Sequence, residues 1–394
     1  MPTERGWAAL GAGLAFFVLW WGFGEAELLA AAVFLVGAFL LAWVVIRLAS
    51  RPVVIARRLT PTLTHEGDVV AVTVSIGNVG GRSLWNVGFE DEVAGLGTAR
   101  FVAGRLPAGE TYTAGYRILA KPRGLYRVGP VRVSVTDPLH LAASIRVAGN
   151  ADRLIVYPAV EQLEGFPLVR GLNPALHATR PEFSHRGGED FFTLREYRIG
   201  DDLRRVHWPS TAKRDELMIR QLETPWQSRA LVLLDVRRTS YESRAAFERA
   251  VSGAASTLLH LRRHGFDCDL WAGPADVSGA EVDAHPRSME LLAVVDWVDD
   301  IDLRSLALRI RADGAGGALV LVTGVADDDL AAVRQLLSPD FGATVLLSVT
   351  SAEATETVQF QRAGAVTVVV PPDESWAAAW SSAIEATWST APVV

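Results

Sequence analysis

The sequence predicts a multidomain membrane protein with an N-terminal two-helix transmembrane hairpin, a small antiparallel β-sandwich and a doubly wound α/β domain. Two long apolar runs open the chain, segments of period-two alternation follow, and continuous apolar segments separated by helical patterns fill the C-terminal part. We place the three domains at residues 1–50, 51–157 and 229–394, with a charged segment at 158–228 linking the last two. A chain of 394 residues is long enough for several such units.

The hairpin is predicted by two apolar runs, Gly6–Gly24 and Leu28–Ile46, each 19 residues long. As a helix, each run extends roughly 29 Å, enough to cross the hydrocarbon core of a bilayer. Only Glu25, Ala26 and Glu27 separate the runs, which is typical of a tight turn between antiparallel helices. A signal peptide cleaved near Ala26 is the alternative, although the second run would still anchor the chain.

Arginines flank both outer ends of the hairpin, whereas the turn between the runs carries only glutamates. The arginines are Arg5, Arg47, Arg51, Arg57 and Arg58. By the positive-inside bias, both ends lie in the cytoplasm. We therefore predict a multi-pass protein of the cytoplasmic membrane, with two helices in contact with lipid and with both termini and the soluble domains on the cytoplasmic side.

Alternation in "VVAVTVSIGN" predicts a half-buried strand, because Val70, Val72, Val74 and Ile76 share one face. The segment "RVSVTD" repeats the pattern, and "GNVGGR", "LPAGE" and "KPRG" supply turn residues at intervals that suit short antiparallel strands. We interpret this region as a spacer that lifts the next domain off the membrane, with a ligand-binding role as the alternative.

The C-terminal part is predicted to form a parallel sheet covered on both faces, because "ALVLLDV", "GALVLVTG", "ATVLLSV" and "VTVVV" are continuously apolar and alternate with helical patterns. Sheets of this kind bind ligands at the carboxyl ends of their strands. The loop after "LVLLD" is therefore the first place to look for a site.

That loop, "DVRRTS" at residues 235–240, resembles the metal-ion-dependent adhesion site of the von Willebrand factor A-type fold, which begins Asp-x-Ser-x-Ser. Asp235 matches, but Arg237 occupies the first serine position and Thr239 the second. A guanidinium opposes Mg²⁺ instead of coordinating it. We predict a degenerate site with no metal or other cofactor, in which Arg237 or Arg238 pairs with Asp235. A functional metal site is the alternative, and it predicts that Mg²⁺ raises thermal stability.

Other chemistry has little support in the sequence. Cys268 is the only cysteine, which excludes an internal disulfide or a CxxC site, and its apolar neighbours place it in a strand core. His260 and His264 close a predicted helix, where cationic groups complement the helix dipole. The sequence has no P-loop, GxGxxG, HExxH or GxSxG motif, and its net charge of −7 argues against a nucleic-acid partner. We expect no enzymatic activity.

The segment from residue 180 to 220 holds nine basic and eight acidic side chains, which indicates a mesh of paired charges instead of a polyanion cradle. Tyr197, His207 and Trp208 provide a platform for guanidinium stacking, and Gly200 allows a tight turn. Three interpretations stay open: an interdomain salt-bridge network, a protein-recognition surface and a pocket for a small anionic ligand.

Within it, "LREYRIGDDLRRVHWPSTAKRDELMIRQLE" resembles the signature of the bacterial domain of unknown function fifty-eight family. The matching positions are Arg195, Tyr197, Gly200, Asp201, Arg204, Val206, Trp208, Ser210 and Ala212. Lys213 departs from the usual arginine and loses its planar fork. The segments "KPRGLYRVGPVRVSVTDPLHL", "LIVYP" and "FERAVSGAAS" are also similar to the family, so the resemblance covers nearly the whole chain.

The resemblance implies a membrane-anchored, non-catalytic protein that works with a MoxR-type AAA+ ATPase, with a transglutaminase-like membrane protein as a second candidate partner. The leading hypothesis is a cytoplasm-facing adaptor or scaffold in complex assembly, chaperone-like or cell-envelope processes. Residues 221–394 carry thirteen basic and twenty-four acidic side chains, a net charge of −11, so the anionic inner leaflet repels this domain and leaves it open to soluble partners.

The predicted binding surface combines the family signature with the loop at Asp235. Its signature residues are Arg195, Tyr197, Gly200, Asp201, Arg204, His207 and Trp208. Two alternative functions remain: a metal-dependent ligand-binding A-domain, and an uncharacterised enzyme that acts on an anionic envelope-related substrate near His207 and Asp201.

Overall fold

The computed structural model divides into two compact units, residues 1–159 and 160–394. The first unit contains two helices and a strand-rich domain, and the second contains an α/β domain. The residues that the structure describes are 1–49, 53–165, 192–196, 210–211, 217–222, 228–299, 301–313, 317–351 and 355–389.

The chain begins with two apolar helices, α1 (Glu4–Phe23) and α2 (Ala26–Ala49). The hydroxyl of Thr3 caps α1 by accepting a hydrogen bond from the Gly6 amide, and Gly24 ends it with a positive φ of 76°. Both helices are long and apolar enough to cross a membrane, and only small fractions of their surfaces are buried. The two predicted apolar segments are therefore helical.

The strand-rich domain contains ten strands in two sheets. They are β1 (Val53–Thr60), β2 (Leu63–His65), β3 (Val69–Asn78), β4 (Leu84–Val93), β5 (Gly97–Leu106), β6 (Thr111–Leu119), β7 (Gly124–Val128), β8 (Val131–Thr136), β9 (Ala143–Ala148) and β10 (Asp152–Tyr157). One sheet has the order β1-β3-β6, and the other has the order β2-β10-β7-β4-β8-β9 with β5 paired to β4. All pairs are antiparallel except β2 with β10.

One core joins the two sheets. The predicted inward face of β3, residues Val70, Val72, Val74 and Ile76, is fully buried, and it shares this core with Phe89 of β4. The alternation therefore identified the correct face, because successive side chains of a strand point to opposite sides.

A buried ion cluster crosses the same domain. Arg57 and Asp91, whose side chains are 3% and 0% exposed, form a bidentate pair with N–O distances of 2.9 and 2.5 Å. Tyr116 donates its hydroxyl to Asp91 at 2.7 Å, and Arg57 also binds Asp152 at 2.8 Å. In the sequence, Arg57 is one of the arginines that flank the hairpin. In the structure, its side chain lies in the interior of the β domain.

Gly129 is required beside this cluster. Its φ of 78° lies in the left-handed region, and a Cβ at this position would overlap the guanidinium of Arg57. The glycine therefore permits both the turn between β7 and β8 and the close approach of the buried arginine.

The second unit is built on a six-stranded sheet. Its strands are β13 (Ser228–Leu234), β14 (Phe266–Ala272), β15 (Ala275–Val277), β16 (Gly317–Thr323), β17 (Phe341–Val349) and β18 (Val366–Val370). The order is β15-β14-β13-β16-β17-β18, and all neighbours are parallel except β14 and β15. A separate antiparallel hairpin pairs β11 (Phe192–Glu196) with β12 (Met218–Leu222).

Helices lie between the strands of this sheet in the sequence, and another helix follows the last strand. They are α3 (Arg244–Arg263), α4 (Ala284–Val294), α5 (Leu303–Ala312), α6 (Asp328–Leu337), α7 (Thr355–Arg362) and α8 (Trp376–Ser389). Leu231 and Leu233 of β13 pack into a core shared with α5 and α6, and Val232 and Leu234 on the opposite face are equally buried. The predicted parallel sheet, buried on both faces, is therefore present.

The first residues of the second unit are held to its helices. The Glu161 carboxylate accepts bonds from Arg249 at 2.6 Å, Ser375 at 2.5 Å and the Ala377 amide at 3.1 Å, so it caps the start of α8. The second compact unit begins at Val160, so these residues belong to it.

His260 on α3 is buried and lies 2.9 Å from the Gly165 carbonyl oxygen, against the ring of Trp380. Burial lowers its pKa below the ordinary value near 6.5. The unfolded chain therefore binds the His260 proton at a higher pH than the folded chain does.

We expect the free energy of unfolding of the α/β unit to fall as pH drops below about 6.5, because protonation then favours the unfolded state. The contribution of one proton has a slope of at most about 1.4 kcal/mol per pH unit. Urea unfolding of wild-type protein and a His260→Gln variant across this range measures it. The difference between the two stabilities should shrink as pH falls, and a difference that is independent of pH would contradict the prediction.

Candidate functional site

The candidate site lies at the carboxyl edge of the six-stranded sheet, beyond its central strand. Asp235 directly follows β13, and Thr323 is the last residue of the neighbouring strand β16. The Asp235 amide donates to the Val322 carbonyl at 2.8 Å, which continues the pairing of the two strands for one more residue. Parallel strands therefore bring these two side chains together, as the topology requires.

The Asp235 side chain is completely buried and fully hydrogen-bonded. Its Oδ2 accepts bonds from the Ser240 hydroxyl at 2.7 Å, from the Thr323 hydroxyl at 3.1 Å and from Nη2 of Arg237 at 2.8 Å. Its Oδ1 accepts from the amide and Nε of Arg237 at 3.0 and 3.1 Å. Tyr241 donates its hydroxyl to the Asp235 carbonyl oxygen. The predicted pairing of Arg237 with Asp235 is thus present.

The other side of the Arg237 guanidinium faces the start of α6. Nη1 and Nη2 donate to the two carboxylate oxygens of Asp327 at 2.8 and 3.0 Å, and Nη1 also lies 3.4 Å from Asp329. Asp327 in turn caps α6 by accepting the Leu330 amide at 2.9 Å. One arginine therefore ties the end of β13 to the first turn of a helix about 90 residues later.

The contacts in this cluster shift the pKa of Arg237 and of Asp327 so that both groups stay charged. Burial alone would lower the pKa of Arg237, but the hydrogen bonds and charges of Asp235 and Asp327 outweigh burial and raise that pKa above the ordinary arginine value. For Asp327, burial favours a higher pKa, and the bond from Arg237 reverses this and holds the pKa below the usual range. The guanidinium and the Asp327 carboxylate are therefore charged partners at neutral pH.

Thr239 does not contribute to the cluster. It belongs to a short 3₁₀ turn, Arg238–Ser240, and its side chain is exposed, whereas the next residue, Ser240, is buried on Asp235. The hydroxyl of this loop that bonds Asp235 therefore comes from Ser240, one residue after Thr239. In the part of the chain that the structure describes, no group of three or more His, Cys, Asp or Glu residues is arranged to hold a metal ion.

Two arginines, Arg238 and Arg244, lie beside this cluster and stack on the indole of Trp297. We name these three residues the arginine rim. The guanidinium carbons of the two arginines lie 5.5 and 5.1 Å from the Trp297 ring. Arg238 donates its amide to the Val298 carbonyl at 2.8 Å, which fixes the rim to the loop after Asp235. Sequence analysis did not identify Trp297, because this residue lies about 60 residues after Arg238 along the chain.

The family signature is described only in part. Arg195 lies on β11 opposite Ile219 of β12, and the Met218 amide donates to the Thr211 hydroxyl at 3.0 Å. The remaining predicted binding residues lie outside the described residues: Tyr197, Gly200, Asp201, Arg204, His207 and Trp208.

Residues 193–268 match the family model described as Protein of unknown function DUF58. This match confirms the family resemblance. The DUF58 match runs from the signature strand β11 to Cys268, so it includes Asp235, Arg237 and Ser240 of the candidate site but not Thr323 or Asp327.

A curated relative, "Uncharacterized protein YeaD" of Bacillus subtilis (strain 168), is 28% identical over 222 residues. The alignment covers 55% of this chain and 54% of the relative, so the chain spans about half the length of the protein it matches. Neither description assigns a function.

Among solved structures, the chain is similar to the CARDB domain of the PF1109 protein from Pyrococcus furiosus, with 14% identity, a TM-score of 0.22, and coverage of 27% of this chain and 92% of that one. It is also similar to red sea bream transglutaminase, with 16% identity, a TM-score of 0.20, and coverage of 27% and 15%. At these TM-scores neither structure indicates a function for this chain.

Proposed function

We propose that this protein is a membrane-anchored, cytoplasm-facing and non-catalytic adaptor whose α/β domain is of the von Willebrand factor A type. Its proposed partner is a MoxR-type AAA+ ATPase, and its role is in complex assembly, chaperone-like maturation or cell-envelope processes. The main support for the proposal is that the Arg237 side chain fills the carboxyl edge of the sheet, where it binds Asp235 and Asp327. We call this the closed edge.

Closure of this edge argues for docking and against chemistry or metal binding. A guanidinium has five N–H donors, and the Arg237 side chain makes five hydrogen bonds to Asp235, Asp327 and Asp329. Its fixed positive charge stands where a divalent cation would need to bind, and it repels such an ion. The edge that supplies ligand sites in comparable sheets is therefore built as a rigid structural element.

The surface beside the closed edge suits a protein partner. Arginine and tryptophan are enriched among the residues that contribute most to protein interfaces. In the arginine rim, Arg238 is 64% exposed and stacks on Trp297, which is positioned by backbone pairing of the adjoining segment. This rim and the signature residues, Arg195 and Trp208 among them, form the proposed contact surface.

The two N-terminal helices support the anchoring part of the proposal. Their length suits a bilayer, and most of their apolar surface is exposed, which water disfavours and lipid tails accept. The net charge of −11 on residues 221–394 keeps the α/β domain away from the anionic inner leaflet. The family resemblance supplies the identity of the ATPase partner.

Affinity purification of the full chain from native membranes in mild detergent tests the adaptor role, with and without a slowly hydrolysed ATP analogue. Wild-type protein should recover an AAA+ ATPase, and both an Arg195→Ala/Trp208→Ala variant and a Trp297→Ala variant should lose it while remaining folded. Trp85→Ala is the matched control, because Trp85 forms a comparable stack with Arg105 in the β domain at 4.8 Å. Equal recovery by all variants, or no ATPase with wild type, would refute the proposal.

We also expect the thermal stability of the protein to be independent of Mg²⁺. Mg²⁺ should leave the midpoint of thermal unfolding of the wild-type protein unchanged relative to sodium chloride of equal ionic strength, because Arg237 occupies the cluster. A ligand that binds only the folded state raises this midpoint. A magnesium-specific rise that disappears in a Thr323→Val variant would instead favour the metal-dependent ligand-binding function.

A further inference from the structure

The loop between β8 and β9, residues 137–142, is fixed to the start of the first apolar helix. The Thr3 amide donates to the Leu141 carbonyl at 3.0 Å, and the Thr3 hydroxyl donates to the His140 carbonyl. Gly6 allows this approach, because a Cβ there would overlap the Leu141 carbonyl oxygen. We name residues 137–142 the docking loop.

Several polar groups of the docking loop are hydrogen-bonded within the loop. Asp137 is buried, and its carboxylate accepts the Leu139 amide at 2.8 Å and the Ala142 amide at 2.6 Å. The His140 amide donates to the Asp137 carbonyl at 3.0 Å. Irregular backbone is tolerated at membrane depth when its polar groups are bonded within the protein, and this loop meets that condition at these positions.

The tip of the loop presents apolar side chains beside α2. Leu139 is 61% exposed, and together with Pro138 and the buried Asp137 it forms one wall of a largely apolar groove of about 540 Å³. The opposite wall consists of α2 residues between Val33 and Val45, among them Phe34, Gly37 and Leu41. These residues cover roughly 18 Å of the helix axis, all of it before the first basic residue of α2, Arg47.

We propose that the docking loop inserts into the cytoplasmic leaflet and that the groove binds a phospholipid acyl chain. The inference rests on the proposed anchoring of the hairpin, because the groove wall is part of the apolar run that would span the bilayer. Phe34 and Leu41 are exposed on that wall, so the groove continues the surface that α2 presents to lipid. In hydrocarbon, an exposed Leu139 no longer incurs the cost of contact with water.

Spin labelling of the full chain in phospholipid vesicles tests the insertion. The single native cysteine, Cys268, is replaced by serine, and a cysteine is introduced at Leu139, at Phe34 as the hairpin reference, or at exposed Val102 of β5 as the aqueous reference. Collision rates with oxygen, which concentrates in hydrocarbon, and with a water-soluble nickel chelate report the surroundings of each label. We expect Leu139 to resemble Phe34 and to differ from Val102.

The outcomes separate this inference from the proposed function. If Phe34 contacts oxygen and Leu139 contacts the nickel chelate, the hairpin is anchored and the loop inference alone is wrong. If Phe34 itself contacts the chelate, both proposals are wrong. Shielding of Leu139 from both reagents with spin–spin broadening would assign the groove to a second copy of the chain and overturn the lipid assignment. Pro138→Cys, also exposed on the loop, repeats the measurement independently.

Discussion

Replacement of Arg237 by alanine is expected to lower the free energy of unfolding of the α/β unit by about 3–5 kcal/mol, the usual cost of removing one partner from a buried ion pair. The Asp235 side chain is 0% exposed, so removal of the guanidinium leaves a buried carboxylate without its cationic partner. Ser240 and Thr323 would still donate to Asp235, but neither carries the positive charge that balances a buried carboxylate.

Hydrogen exchange of the full chain in detergent measures this loss locally, because the amides of β13 report only on the second unit. Arg238→Ala is the matched control. Its guanidinium is 64% exposed and lies 3.9 Å from the Asp299 carboxylate, which is 89% exposed, so the change should stay below about 1 kcal/mol. Equal losses in the two variants would show that the closed edge does not stabilise the sheet. Arg237→Lys should fall between them, because it keeps the charge and loses the fork.

The pairing of Asp235 with Arg237 was predictable because both residues lie in one short loop whose position followed from the apolar strand before it. Asp327 was not predictable, because its approach to Arg237 depends on how α6 begins after β16. Ser240, and not the predicted Thr239, donates to Asp235 for a local reason, because the 3₁₀ turn directs the later hydroxyl inward. The apolar strand pattern thus placed Asp235 at the end of β13, and tertiary packing determined which distant side chains contact the cluster.

In both domains, features set by a local sequence pattern were predictable, whereas features set by long-range contacts were not. Alternation identified the buried face of Val70–Ile76, since a strand has a fixed period. The segment that begins the second unit has no such period. Glu161 orders it through Arg249 and the first turn of α8, contacts whose partners are about 90 and 215 residues away.

The burial of Arg57 was also not predictable from the sequence, and we expect its removal to lower the stability of the β domain strongly. In sequence it resembles its neighbour Arg58, a charge near the end of a membrane segment. In the structure it binds Asp91 and Asp152, which are 34 and 95 residues away, and its side chain is only 3% exposed. Arg57→Ala should therefore destabilise the β domain by about 3–5 kcal/mol, because Asp91 would remain buried without a cation.

Hydrogen exchange of the β3 and β4 amides measures this change, with Arg100→Ala as the control. Arg100 forms an ion pair of similar length with Glu90, at 2.9 Å, but its side chain is 76% exposed, so its loss should cost less than about 1 kcal/mol.

An Arg57→Met/Asp91→Leu double variant separates the two origins of the effect. When both charges are removed, no buried carboxylate is left without a partner, and apolar side chains of similar volume can fill the space. We expect the double variant to be more stable than Arg57→Ala alone, even though it carries one more substitution. If it is less stable, the network of Arg57 with Asp91, Tyr116 and Asp152 is itself a net source of stability, and the unpaired carboxylate is not the main cause of the loss.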